Sequence, residues 1–213
     1  MSIKEAIKQR RSIRKYQARK VSEEIVWNVL EAAGWAPSAH NAQPWRFIVL
    51  SEARVKLELA EAMADSWIKD VVKDGLTVED SKLKASVERF SNAPVLIVAC
   101  LSMDGMWKYP DEKRQMSERD LAMQSLGAAL QNLLLAAYAD GLGACWFSAP
   151  SFCKETVRKV LNVPEAVEPQ AIIAMGYPSE EVPAPSRKLL RDYCFLDGWE
   201  ELFLRTVPLL VAS

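Results

Sequence analysis

Leu121–Trp146 reads LAMQSLGAALQNLLLAAYADGLGACW, and no residue from Leu121 to Ala139 is charged. A run of that length could cross a bilayer. Gln124, Ser125, Gln131 and Asn132 lie inside it, however, and Asp120 and Asp140 flank it. Those groups would be costly in lipid. The run therefore reads as the buried central helix of a water-soluble fold. Ser117 is its expected N-cap, with Asp120 three residues on, close to a capping box. Gly141-Leu142-Gly143 stops it, and Cys145 to Ser148 is short and β-like.

On either side, apolar runs alternate with helical periodicity. Upstream, Pro94 to Leu101 is a nearly continuous apolar stretch, as expected of a central strand covered on both faces. Arg46 to Leu50 reads as another strand, and Pro169 to Gly176 as a third. Helices are expected over 2–10, 22–34, 52–65, 79–90 and 154–161. Ser22 caps the second, and Glu23 and Glu24 suit the positive end of its dipole. The fold class is α+β, with a central mixed or antiparallel sheet flanked by helices.

The chain has 213 residues, half of them hydrophobic and 26% charged, enough for a single domain over 1–213 with a sizeable core. With 27 basic against 28 acidic residues, no global field favours nucleic acid or an anionic membrane. Any anion site must be local. The four cysteines form no CxxC pair and there is one histidine, so no metal site is expected. Reduced, buried cysteines fit a cytoplasmic protein. The N-terminal segment has no apolar core of a signal peptide.

Three stretches carry candidate chemistry. Arg10-Arg11-Ser12-Ile13-Arg14 places three guanidinium groups and a hydroxyl within five residues. Guanidinium forks match phosphate oxygens in charge and geometry, although a basic run is more often a solvated face. Pro37-Ser38-Ala39-His40-Asn41-Ala42-Gln43-Pro44-Trp45 sets donors and acceptors between two stiffening prolines. Such groups suit the edge of a heterocycle, and they equally suit a turn that bonds its own backbone. Gly141 to Trp146 could let backbone approach a flat ligand, or simply be a helix stop before a strand. It lacks the third glycine of a dinucleotide fingerprint and follows a helix. Ser186-Arg187-Lys188 in the tail is a weaker basic element. From Trp199 to Val211 the tail is apolar, which suggests docking on a neighbouring subunit or on its own domain.

In this order, the stretches resemble the nitroreductase family of flavoenzymes. An RRSIR segment precedes PSAHNAQPW, a long apolar helix, GLGACW, a strand ending in GYP, and a basic pair. The resemblance implies a nitroreductase-like fold, an intertwined homodimer with C-terminal arm exchange, and FMN bound between subunits. Arg10, Arg11 and Ser12 would hold the phosphate and ribityl chain, with Arg187 and Lys188 completing that site. Arg14 would lie near the pyrimidine ring and tune it. Pro37, Ser38, Ala39, Asn41 and Gln43 would come from the second subunit, and Gly143, Ala144 and Cys145 would line the flavin face.

The implied activity passes hydride from a reduced nicotinamide or deazaflavin, through FMN, to a nitro compound, quinone or similar acceptor. No side-chain nucleophile is required. His40 is a candidate proton donor, although a loop histidine is more often a hydrogen-bonding surface residue. The runs Trp67–Asp70, Asp74–Leu76, Trp107–Leu130 and Gly141–Tyr177 also resemble the reductase domain of the ligase/reductase that makes the deazaflavin coenzyme F-420. That implies reduction of a dehydro precursor, here without a ligase domain. A flavin-binding protein without turnover is the alternative from another class.

Overall fold

The computed structural model describes residues 2–203. Up to Val182 they form one compact unit, and from Pro183 a second. The apolar tail beyond Phe203, and with it the expected arm exchange, lies outside the described residues.

Among the described residues, four strands make the sheet: β1 (Trp45–Leu50), β2 (Val95–Ser102), β3 (Gly143–Phe147) and β4 (Val167–Gly176). Their order is β1-β2-β4-β3, and every pair of neighbours is antiparallel. The sheet is thus antiparallel rather than mixed. Among the described residues, six α-helices flank it: α1 (Ile3–Gln9), α2 (Glu23–Gly34), α3 (Ala53–Lys73), α4 (Asp80–Ser91), α5 (Glu112–Ala139) and α6 (Lys154–Leu161).

Every residue of β2 is buried, because helices cover both faces. Side chains alternate along a strand. Ile97, Ala99 and Leu101 accordingly meet α2 and α5 through Val29, Ala33, Leu126 and Leu130. Leu96, Val98 and Cys100 meet α3, α4 and α6 through Leu59, Phe90 and Val157. The result is a three-layer helix–sheet–helix unit with two hydrophobic cores.

The long helix starts earlier than its sequence suggests. Asp111, not Ser117, is its N-cap and accepts the amide of Arg114 at 3.0 Å. Ser117 sits inside the first turns and donates its hydroxyl to the Lys113 carbonyl. A carboxylate at the cap has the advantage of charge against the helix dipole. The other end behaves as read: Gly141 has φ +75°, and the Leu142 amide bonds the Ala137 carbonyl at 2.8 Å. That six-residue closure is the Schellman pattern. Helix α3 also runs on to Lys73, past the expected stop at residue 65. Among the described residues no helix is long and apolar enough to cross a membrane.

Candidate active site

Leaving α1, the chain runs extended along β3. Ser12 bridges Ala144 in parallel, and the Ile13 amide donates to the Ala144 carbonyl at 3.1 Å. Adjacent side chains of an extended segment point to opposite sides, and this divides the arginines. Ser12, Arg14 and Arg10 approach Cys145. Burial pushes its thiol up, while the charges of Arg14, Arg89 and Arg10 and a hydrogen bond with Ser12 pull the other way. Arg11 turns away and donates to the carbonyls of Lys8 and Arg10 at 2.8 and 2.9 Å, against the end of α1. It lines a separate cavity of about 320 Å3, together with Tyr138, Gly143 and Glu180.

Gly143 is needed for this contact. A Cβ there would stand 2.7 Å from the Cβ of Ile13. The close approach that the glycine permits is thus to the arginine-bearing segment. Gly143, Ala144 and Cys145 are themselves buried.

Next to that cluster a cavity of about 780 Å3 opens between α3, α4 and the end of β3. Trp67, Arg89, Trp146, Phe147, Ser148 and Cys153 are among its walls. Its size and its mix of aromatic walls with charged and hydroxyl side chains suit a polar cofactor or small molecule. The Arg89 guanidinium lies over the Phe147 ring, 5.7 Å from the centroid. Burial pushes the Cys153 thiol to about 11. It is therefore a neutral wall residue rather than a thiolate nucleophile. No cluster of three metal-ligating side chains exists among the described residues.

The loop before β1 is built differently. His40, Asn41 and Gln43 all have positive φ, at 56°, 53° and 47°. Such backbone persists only when its surroundings hold it. Ser125 of α5 accepts the Ala39 amide at 3.2 Å, and Ser38 accepts the Gln43 amide at 3.1 Å. The His40 ring stacks on Trp107 at 4.1 Å, and its Nε2 lies 3.2 Å from the Glu118 carboxylate. Pro37, Asn41 and Gln43 remain exposed.

Register places the loop and the arginine segment far apart. Trp45 is level, through Leu101, with Glu168 of β4, whereas Ala144 is level with Met175. Ser12 also lies beyond β3, at the opposite edge from β1. Strand spacing and rise then put the two about 30 Å apart on the diagonal of the sheet. Arg187 and Lys188 belong to the second unit, where both are exposed.

Residues 7–177 match the model of the nitroreductase family. The chain belongs to the nitroreductase family. Like its relatives it is an oxidoreductase. It is 35% identical over 187 residues to a "putative NADH dehydrogenase/NAD(P)H nitroreductase" of Methanothermobacter thermautotrophicus, covering 84% of this chain and 79% of that protein. A BluB-like flavoprotein from Clostridium difficile 630 superposes with a TM-score of 0.77 at 25% identity, over 92% of this chain and 99% of that one. A "putative nitroreductase in complex with FMN" from Desulfovibrio desulfuricans has a TM-score of 0.69 at 30% identity, over 93% and 98%.

Several residues of this candidate site are not evident in sequence. Arg89 is one basic residue among many on an amphipathic helix, and only the fold brings it to Cys145. The cavity wall at Trp146–Ala149 begins just past the GLGAC run. Glu118 and Trp107 lie 78 and 67 residues from His40 and carry no local signal, since their link to it is tertiary.

Proposed function

We propose that this chain is an FMN-dependent NAD(P)H oxidoreductase that acts as a homodimer on nitro compounds, quinones or similar acceptors. One observation carries the two-copy reading. The cationic segment at Arg10–Arg14 and the exposed amides of Asn41 and Gln43 stand at opposite corners of the sheet. One extended flavin nucleotide cannot reach both within a protomer, whereas a two-fold axis brings one protomer's loop to the other's arginines.

The residues present fit the cofactor. Arg10 and Ser12 supply charge and a hydroxyl for a phosphate and a polyol. Arg14 and Arg89 supply fixed positive charge for a ring that becomes anionic on reduction. The 780 Å3 cavity has room for a flat ring with a second flat molecule beside it. When bound, FMN supplies two-electron transfer from a reduced nicotinamide to an acceptor. The chain itself binds, orients and excludes water, with aromatic walls at Trp67 and Trp146 for stacking.

A second reading concerns the substrate. Trp67, Asp70 and Asp74, which belong to the runs resembling the deazaflavin reductase domain, line the same cavity. This supports a deazaflavin as donor or a dehydro-deazaflavin as acceptor. Spectroscopy tests both readings. The purified protein should be yellow, and under anaerobic conditions NADH, NADPH and a reduced deazaflavin are added separately. Bleaching by a nicotinamide supports the first reading, and bleaching by the deazaflavin alone supports the second. A colourless protein that takes up no FMN contradicts both.

A further inference from the structure

Outside the arginine cluster, the His40 ring is held from two sides, by Glu118 and by Trp107. Glu118, on α5, is 4% exposed. Its two carboxylate oxygens lie 3.3 and 3.2 Å from His40 Nε2, and the Trp107 amide donates to the second of them at 3.2 Å. A carboxylate only accepts. The proton on Nε2 is therefore held there, which leaves Nδ1 as the ring's free functional end. Trp107 stacks on the imidazole at 16° between planes and fixes its rotation. The loop backbone has anchors of its own, since Ser125 and Ser38 hold the amides of Ala39 and Gln43. What Glu118 and Trp107 add is the orientation of one ring. No partner of Nδ1 exists among the described residues, and the His40 side chain keeps 23% of its surface exposed. It sits between the exposed Pro37 and the exposed Asn41 and Gln43, on the loop that faces the second copy in the reading above.

We propose that His40 is the proton donor to the electron acceptor, with Glu118 as its positioning residue. The proposal rests on the functional reading given above. Two-electron reduction of a quinone to a hydroquinone needs a hydride and one proton. The hydride, carrying the electron pair and the first hydrogen, comes from the reduced donor named above. The proton leaves Nδ1 of the imidazolium, the Nδ1–H bond breaks and an O–H bond forms on the acceptor. The ring is left neutral with its remaining proton on Nε2, bonded to Glu118. Water then returns a proton to Nδ1. A carboxylate that holds one nitrogen while the other works is a recurring way to fix the tautomer of a histidine.

The chain has a single histidine, so its imidazole signals are unambiguous. The test uses the FMN-loaded protein and two variants. His40→Asn keeps a residue that tolerates positive φ. Glu118→Gln keeps the shape and an acceptor for the Trp107 amide. Nitrogen NMR of the neutral ring should show the proton on Nε2 in the parent chain and mixed tautomers in Glu118→Gln. In rapid mixing, reoxidation by a 1,4-benzoquinone should slow in His40→Asn at least about tenfold more than bleaching by NAD(P)H does. Its solvent deuterium isotope effect should change as well. Glu118→Gln should show the same bias, to a smaller degree. A parent tautomer with the proton on Nδ1, or equal effects on the two half-reactions, overturns the proposal while leaving the functional reading intact. A chain that takes up no FMN overturns both.

Discussion

A Cβ on Gly143 would lie 2.7 Å from the Cβ of Ile13. The glycine at the start of β3 thus lets the arginine segment lie against the sheet edge. Gly143→Ala must push Ile13 away. Overpacking of this kind typically costs about 1–3 kcal/mol. The segment that moves bears Arg10, Ser12 and Arg14, so the variant should also lose affinity for FMN. Urea denaturation and a fluorescence titration with FMN check the two effects. Parent-like affinity in a destabilised variant would detach the segment from the cofactor.

The three arginines of the segment should separate in their effects. Arg10→Ala should chiefly weaken FMN retention. Arg14→Ala should lower the flavin potential more than it weakens retention. Arg11 faces the other way and caps α1. Arg11→Ala should therefore cost about 0.5–1 kcal/mol of stability, as for a cation lost from a helix C-terminus, with little change in FMN affinity. Equilibrium dialysis, potentiometry and urea denaturation together tell the three apart.

Glu168 ties the start of β4 to two helices, accepting from Arg119 at 2.8 Å and Lys154 at 2.7 Å. Partial burial alone would raise its carboxyl above the ordinary 4.5. The hydrogen bonds and charges of Lys154 and Arg119 outweigh that and hold it at about 2. A carboxylate lowered on folding stabilises above its unfolded value and loses that contribution as pH falls through the folded one. Glu168→Gln should thus be less stable than the parent at pH 7, and the gap should close between pH 4.5 and about 2. Denaturation midpoints measured across that range check the sign.

The sequence's apolar periodicity anticipated most elements, because it reflects burial directly. The run Pro94–Leu101 reads as a strand covered on both faces, and β2 is one. Ser22 caps α2 as its spacing implied, accepting the Ile25 amide. The N-cap of α5 was misplaced because Ser117-x-x-Asp120 and Asp111-x-x-Arg114 both start helix-like patterns. Only the loop from Trp107 decides between them. Within the candidate site, the order of motifs drew attention to segments but carried no information on the direction of each side chain. Arg10 and Arg11 are neighbours in sequence, and an extended backbone turns Arg10 toward Cys145 and Arg11 into the cavity beside Tyr138. That the segment is extended follows from its pairing with Ala144, which lies 132 residues beyond Ser12.

The central claim is that each site draws its arginines from one protomer and its loop from another. Mixed dimers test it most directly. Arg10→Ala and the double variant Asn41→Ala, Gln43→Ala are purified separately, each with impaired FMN binding. They are then unfolded and refolded together. Random pairing regenerates an intact site in each mixed dimer, so FMN occupancy should recover to about a quarter of the parent's. Recovery no greater than the sum of the two variants alone would mean that each site is built within a single chain, and would contradict the claim.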